Sequence, residues 1–171
     1  MTELLTSRVR DLIARADSLE EAGDLKGAIV EISRAIELDP ESPVLRYQRG
    51  LLFLSSEEWQ SAIQDFDVAL ESQPGAQNTM FRRAIARSIS EDLDGALRDL
   101  EETGRRLFEQ AVSRKKLAAD AYFKIGLIHQ RRGELERALT AYESAERAID
   151  GGYVDASEEI AEIREKLDSQ K

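Results

Sequence analysis

Gly-Asp-Leu-Lys-Gly-Ala-Ile, running from Gly23 to Ile29, has three gapless counterparts: Glu-Glu-Trp-Gln-Ser-Ala-Ile (Glu57 to Ile63), Glu-Asp-Leu-Asp-Gly-Ala-Leu (Glu91 to Leu97) and Gly-Glu-Leu-Glu-Arg-Ala-Leu (Gly133 to Leu139). Their alanines, Ala28, Ala62, Ala96 and Ala138, stand 34, 34 and 42 residues apart. Twelve residues before each comes another small residue, Ala16, Gly50, Ala84 or Gly126, and seven after each comes Ala35, Ala69, Thr103 or Ala145. Repetition at this period decides the fold class before any local assignment, because each copy is a unit that can bury its apolar face only against its neighbours.

Small residues at three fixed points of a helical unit mark places where two helices cross too closely for larger side chains. Between those points the large apolar residues recur. Leu25, Trp59, Leu93 and Leu135 lie three before the alanine, Ile29, Ile63, Leu97 and Leu139 one after, and Ile32, Phe66, Leu100 and Tyr142 four after. That spacing makes one buried helix face. Pro40 and Pro74 close the first two units, where a proline stops a helix just past its end.

These residues resemble the tetratricopeptide repeat family, whose unit is a 34-residue helix-turn-helix. With the central alanine set at position 20, the units are residues 9–42, 43–76, 77–110 and 119–152. The second carries Gly50, Phe53, Ala62, Phe66, Ala69 and Pro74, and the fourth Tyr122, Gly126, Gly133, Ala138, Tyr142 and Ala145, as the family pattern has them. The first lacks the aromatics of its opening helix. The third departs furthest, with Thr103 and Gly104 at positions usually Ala and apolar, and no closing proline. The resemblance implies a single all-α domain over residues 1–171, a right-handed superhelical solenoid of four hairpins.

Eight residues beyond the period separate the third and fourth units. Helical spacing of Leu97, Leu100, Leu107, Phe108, Ala111 and Val112 predicts an overlong second helix in unit three, with a turn near Ser113 to Lys116. Gly104 within it costs roughly 1 kcal/mol relative to alanine and is read as a bend. Residues 153–171 place Ala156, Ile160, Ile163 and Leu167 on one face, as expected of a helix that caps the open end of a repeat stack. Leu4 and Leu5 extend the first helix backwards.

Composition narrows the function. The 34 acidic and 24 basic residues leave a net charge of −10, the wrong sign for neutralising phosphates, so nucleic-acid binding is not expected. There is no cysteine, which removes disulfide scaffolds and thiolate chemistry. Neither a signal-peptide run nor the ~20-residue apolar stretch needed to cross a bilayer is present, so a soluble protein of the cytoplasm is expected. The one histidine, His129, sits where the family places a large packed residue. Adjacent acids such as Glu20-Glu21, Glu57-Glu58, Glu101-Glu102 and Glu158-Glu159 point about 100° apart on a helix and do not converge as a catalytic pair. No enzymatic activity, metal or cofactor is expected.

The resemblance implies that first helices line a concave surface along which partner peptides lie. Its candidate groove residues are Tyr47, Leu51 and Leu54 in unit two, Phe81, Arg82, Ile85 and Ile89 in unit three, and Phe123, Lys124, Leu127 and Arg131 in unit four. An apolar lining there suits an extended or helical segment of a partner protein; alternatively these residues meet one another, the long helix of unit three or the terminal helix. Residues 1–76 carry a net charge of −8, residues 77–137 +3 and residues 138–171 −5, so a partner with apolar anchors and some acidic residues is favoured. The carboxylate clamp of heat-shock co-chaperones is absent, since of Ile13, Asp17, Gln48, Asn78 and Arg82 only Arg82 fits it. The expected role is an adaptor or assembly scaffold. Alternatives are a small dedicated chaperone resembling secretion chaperones, or a self-associating module in which a homo-oligomer fills the groove.

Overall fold

The computed structural model describes residues 2–109, 115–149 and 154–169. They form nine helices and no strand: α1 (Thr2–Glu21), α2 (Leu25–Leu38), α3 (Pro43–Ser55), α4 (Trp59–Ser72), α5 (Gln77–Ile89), α6 (Leu93–Glu109), α7 (Lys115–Arg131), α8 (Leu135–Ala148) and α9 (Val154–Asp168). The fold is all-α, as expected. Two compact units, Met1–Ser90 and Glu91–Lys171, divide the chain.

Helix starts and stops follow from local chemistry. Pro43 occupies the first turn of α3, where its missing N–H is not needed. The helices α2 and α4 end two residues before Pro40 and Pro74. Inside each hairpin the turn passes through one residue with positive φ, always at position 15 of its unit: Gly23 (79°), Glu57 (63°), Glu91 (66°) and Gly133 (74°). Such a residue lets the chain fold back on the helix end. Asp24 N–H then reaches Leu19 O at 2.8 Å, Glu58 N–H reaches Phe53 O at 2.8 Å, and Glu134 N–H reaches His129 O at 2.9 Å.

Within the first unit consecutive helices pack against each other from α1 to α5. Leu12, Ala16, Ala28, Ile32, Ala35, Ile36, Leu45 and Leu52 form one buried cluster there, and Ala62, Phe66 and Ala86 another. In the second unit α6 to α9 pack in the same consecutive way, around Ala138, Tyr142, Ala145, Ala156, Ile160 and Ile163. The terminal helix covers α8 with the face that the sequence assigned to it.

The small residue twelve before each alanine matches the size of the residue it meets. A Cβ on Gly50 would stand 2.5 Å from the Phe66 ring, and one on Gly126 would stand 2.4 Å from the Tyr142 ring. Both rings are fully buried. In unit one, where the partner is the smaller Ile32, alanine (Ala16) takes the place of glycine within the same cluster.

Two expectations change. The extra residues between units three and four lengthen both flanking helices: α6 and α7 each have 17 residues, against 14 in α2, α4 and α8. The turn expected near Ser113 to Lys116 falls partly on residues 113–114, which lie outside the described residues, while Lys115 and Lys116 already belong to α7. Gly104 has a packing reason. A Cβ there would stand 3.0 Å from the Tyr122 ring, so the glycine admits α7 close to α6.

Candidate functional site

On α3 of the compact part Met1–Ser90, Tyr47, Leu51 and Leu54 are half-buried and pack, with Phe53 and Ile63, on the Ala62–Phe66–Ala86 cluster. The Tyr47 and Phe66 rings are 5.9 Å apart, within the range of an aromatic pair. On α5, Phe81 is buried at 8% exposure, Ile85 is half-buried, and Arg82 and Ile89 are exposed, Ile89 at 47%. The predicted lining is thus graded: Phe81 is core, and Ile89 and Arg82 are the parts most open to a partner. On α7, the first helix of the fourth repeat, Phe123, Lys124 and Leu127 are half-buried and Arg131 is exposed. Phe123 and Leu127 pack, with Leu167, on the cluster that α8 and α9 share, and Phe123 lies 5.4 Å from the Tyr142 ring. Part of this apolar surface is therefore used within the chain.

A second set of side chains appears at positions 7, 23 and 25 of the units. Arg15, Arg49 and Arg83 hold position 7, and Glu31, Asp65 and Asp99 hold position 23. Arg49 donates through Nε and Nη2 to both oxygens of Asp65, at 2.7 Å each, and through Nη1 to Ser33 Oγ at 3.0 Å. Arg46 Nη1 adds a bond to Asp65 at 3.3 Å. Asp65 is only 3% exposed, so this pairing is what allows its charge inside. The hydrogen bond to Asp65 pushes Arg49 up from the usual arginine value. In unit one Arg15 lies 3.4 Å from Glu31.

Position 25 of one unit faces position 7 of the next. Ser33 accepts from Arg49, and Asp67 accepts from Arg83 at 2.6 Å and from Arg87, at position 11, at 3.4 Å. In the fourth unit the pattern stops. Ile125 holds position 7, His129 position 11 and Ala141 position 23, while Glu101 remains at position 25 of the third unit. There a cleft of about 530 Å³ opens, lined by Glu101 from α6, Tyr122, Ile125 and His129 from α7, and Arg137, Thr140, Ala141 and Ser144 from α8.

His129 is buried, as the family position suggests, and its Nδ1 lies 2.6 Å from Glu134 Oε2. That hydrogen bond holds the Glu134 carboxyl below the usual carboxylate range, with a smaller contribution from Arg137. Glu134 pairs with His129 and Arg137, while Arg132 reaches across to Asp94 at 2.6 Å. Burial pushes the Tyr142 phenol up, and its hydroxyl donates to Gln130 Oε1 at 2.6 Å. Among the described residues no group of three or more His, Cys, Asp or Glu side chains is placed to hold a metal ion, and no helix is long and apolar enough to cross a membrane.

A family model described as tetratricopeptide repeat matches residues 13–77 and 90–153, well over half of the chain. The chain belongs to the tetratricopeptide repeat family. It is 29% identical over 119 residues to human tetratricopeptide repeat protein 13; the match covers 66% of this chain, which spans only 12% of that relative's length. Among solved structures, the crystal structure of MamA protein is similar with a TM-score of 0.81 and 19% identity, over 94% of this chain and 82% of that one. YrrB, described as a TPR protein with an unusual peptide-binding site, is similar with a TM-score of 0.73 and 18% identity, over 98% and 85% of the two chains.

Sequence reasoning found the first-helix residues of these tetratricopeptide repeats and missed the cleft. The signal for it was present in the same alignment. Arginine at position 7 and an acid at position 23 run through three repeats and are replaced together in the fourth.

Proposed function

We propose that this protein is a non-catalytic protein-interaction module, an adaptor or assembly scaffold that holds a peptide or helix of a partner on its first-helix surfaces. The observation that carries the reading is on α3 and α5. Exposed Ile89 and half-buried Ile85, Leu51 and Leu54 offer apolar contact, with exposed Arg82 beside Phe81 in sequence. An apolar anchor next to an acidic residue is the partner chemistry this composition suits. Phe123, Lys124, Leu127 and Arg131 give α7, in the fourth repeat, the same mixture. Family membership supports a binding role, and the peptide-binding site ascribed to YrrB supports a peptide as the guest.

The test is selection of peptides displayed in a random library, followed by titration of the winners. Winners should combine apolar residues with Asp or Glu, and their affinity should fall with added salt. The double substitution Ile89→Glu, Arg82→Glu touches exposed side chains, so melting should stay near that of the parent while affinity drops about tenfold or more. Equal affinity for the double variant would reject this surface. A concentration-dependent mass in light scattering that the double variant abolishes would replace the peptide with a second copy of the chain.

A further inference from the structure

The cleft beside Glu101 lies on the other side of α7 from the surface just described: Ile125 follows Phe123 by two residues, about 200° around the helix. Its origin can be traced residue by residue. Where Asp67 receives two guanidinium groups from positions 7 and 11 of the following repeat, Glu101 faces Ile125 and His129. His129 is turned to Glu134, and among the described residues none is hydrogen-bonded or ion-paired to Glu101. Behind Ile125, Ala141 stands where Asp65 and Glu31 stand in their repeats, so the space that Arg49 and Asp65 fill in the second repeat is here open and apolar at its floor.

We infer that this cleft receives an arginine side chain from a partner polypeptide, its stem lying on Ile125 and Ala141 and its guanidinium on Glu101. The chemistry of the walls agrees. The Thr140 hydroxyl donates to Glu136 O at 2.9 Å, and the Ser144 hydroxyl donates to Thr140 O at 2.8 Å while accepting from Arg147 Nη2 at 3.1 Å, so Thr140 Oγ1 offers a guest its lone pairs and Ser144 Oγ is already shared with Arg147. A planar guanidinium presents several donors at once and matches a carboxylate flanked by an acceptor. The volume is ample for one long side chain and its neighbours. Arg137 is tied to Glu134 at 3.3 Å and stands at the rim, 72% exposed.

The experiment is an amide NMR titration of the full chain with the capped pentapeptide Ala-Ala-Arg-Ala-Ala, its citrulline twin, and N-acetyl-arginine amide. The arginine peptide should shift signals of Glu101, Ile125, Ala141 and Ser144 saturably, and the uncharged citrulline twin should bind at least about tenfold more weakly. Glu101→Gln, an exposed substitution, should lose about the same factor with melting unchanged. Ile89→Glu with Arg82→Glu should leave the binding intact, which separates this site from the first-helix surface. Equal binding of the arginine and citrulline peptides, or of the parent and Glu101→Gln, overturns the inference. N-acetyl-arginine amide binding as tightly as the pentapeptide overturns the polypeptide guest in favour of a small guanidine ligand.

Discussion

The second repeat and the fourth solve one packing problem in two ways. Around α3 and α4 the space beneath the surface is filled by Arg49, Asp65 and Arg46, a charged group whose members satisfy each other. Around α7 and α8 the corresponding positions hold Ile125 and Ala141. The difference teaches that such a group is exchanged whole: removing one member of a buried ion pair strands the other, while replacing both with apolar residues costs little. The apolar version is also smaller, and the cleft next to Glu101 is what remains.

The sharpest way to break this comparison is to remove half of the charged version. Asp65→Ala should destabilise the chain by about 3 kcal/mol in urea unfolding, because Arg46 and Arg49 lose their shared carboxylate. Installing half of it in the fourth repeat should also harm: Ala141→Asp alone should cost about 3 kcal/mol. Adding Ile125→Arg to that variant should recover more than half of the loss. A cycle showing no coupling between the two substitutions would mean that the repeats are not interchangeable at these positions.

Packing against glycine gives the next effect in size. Gly126→Ala and Gly50→Ala should each cost about 2 kcal/mol, since a Cβ would press on the buried Tyr142 or Phe66 ring. Ala16→Gly, facing the smaller Ile32, should cost about 1 kcal/mol through backbone entropy and a lost methyl. At the hairpin turns the sign reverses. Glu57→Gly and Glu91→Gly should each stabilise by about 0.5 to 1 kcal/mol, because position 15 has positive φ in every unit and only Gly23 and Gly133 suit it.

Acid should act on the second unit through three surface carboxylates. Hydrogen bonds from Arg132, from Arg105 and Arg106, and from His129 hold Asp94, Glu102 and Glu134 below their ordinary values of 3.8 and 4.5. A depressed folded-state value means that the stabilisation is present above the ordinary carboxylate range and is lost as pH falls through the folded value. Side-chain carboxyl NMR should show all three titrating below these ordinary values, with a small accompanying loss of stability. Titration at ordinary values would show that these ion pairs do not persist in solution.

The hairpins were legible because their signals are local. A small residue, a proline or an i, i+3, i+4 stripe reports on its own helix. What escaped the sequence reading joins residues from different elements. Arg49 and Asp65 are 16 residues apart and Asp94 and Arg132 are 38 apart, so no local pattern pairs them. Gly104 read as a bend because its neighbour Tyr122 belongs to the next helix. Phe81 read as groove lining because helix spacing gives a direction without saying how deep the side chain sits.

Glycine beneath an aromatic ring in the hairpins of α3–α4 and α7–α8, and alanine with isoleucine in that of α1–α2, makes each hairpin a cassette. A chimaera cut between the two helices of a hairpin would set Gly50 against Ile32 and leave a hole, or Ala16 against Phe66 and force a collision. Cuts at the loops between hairpins keep each matched pair together, so whole hairpins are the pieces from which longer or shorter versions of this protein can be assembled.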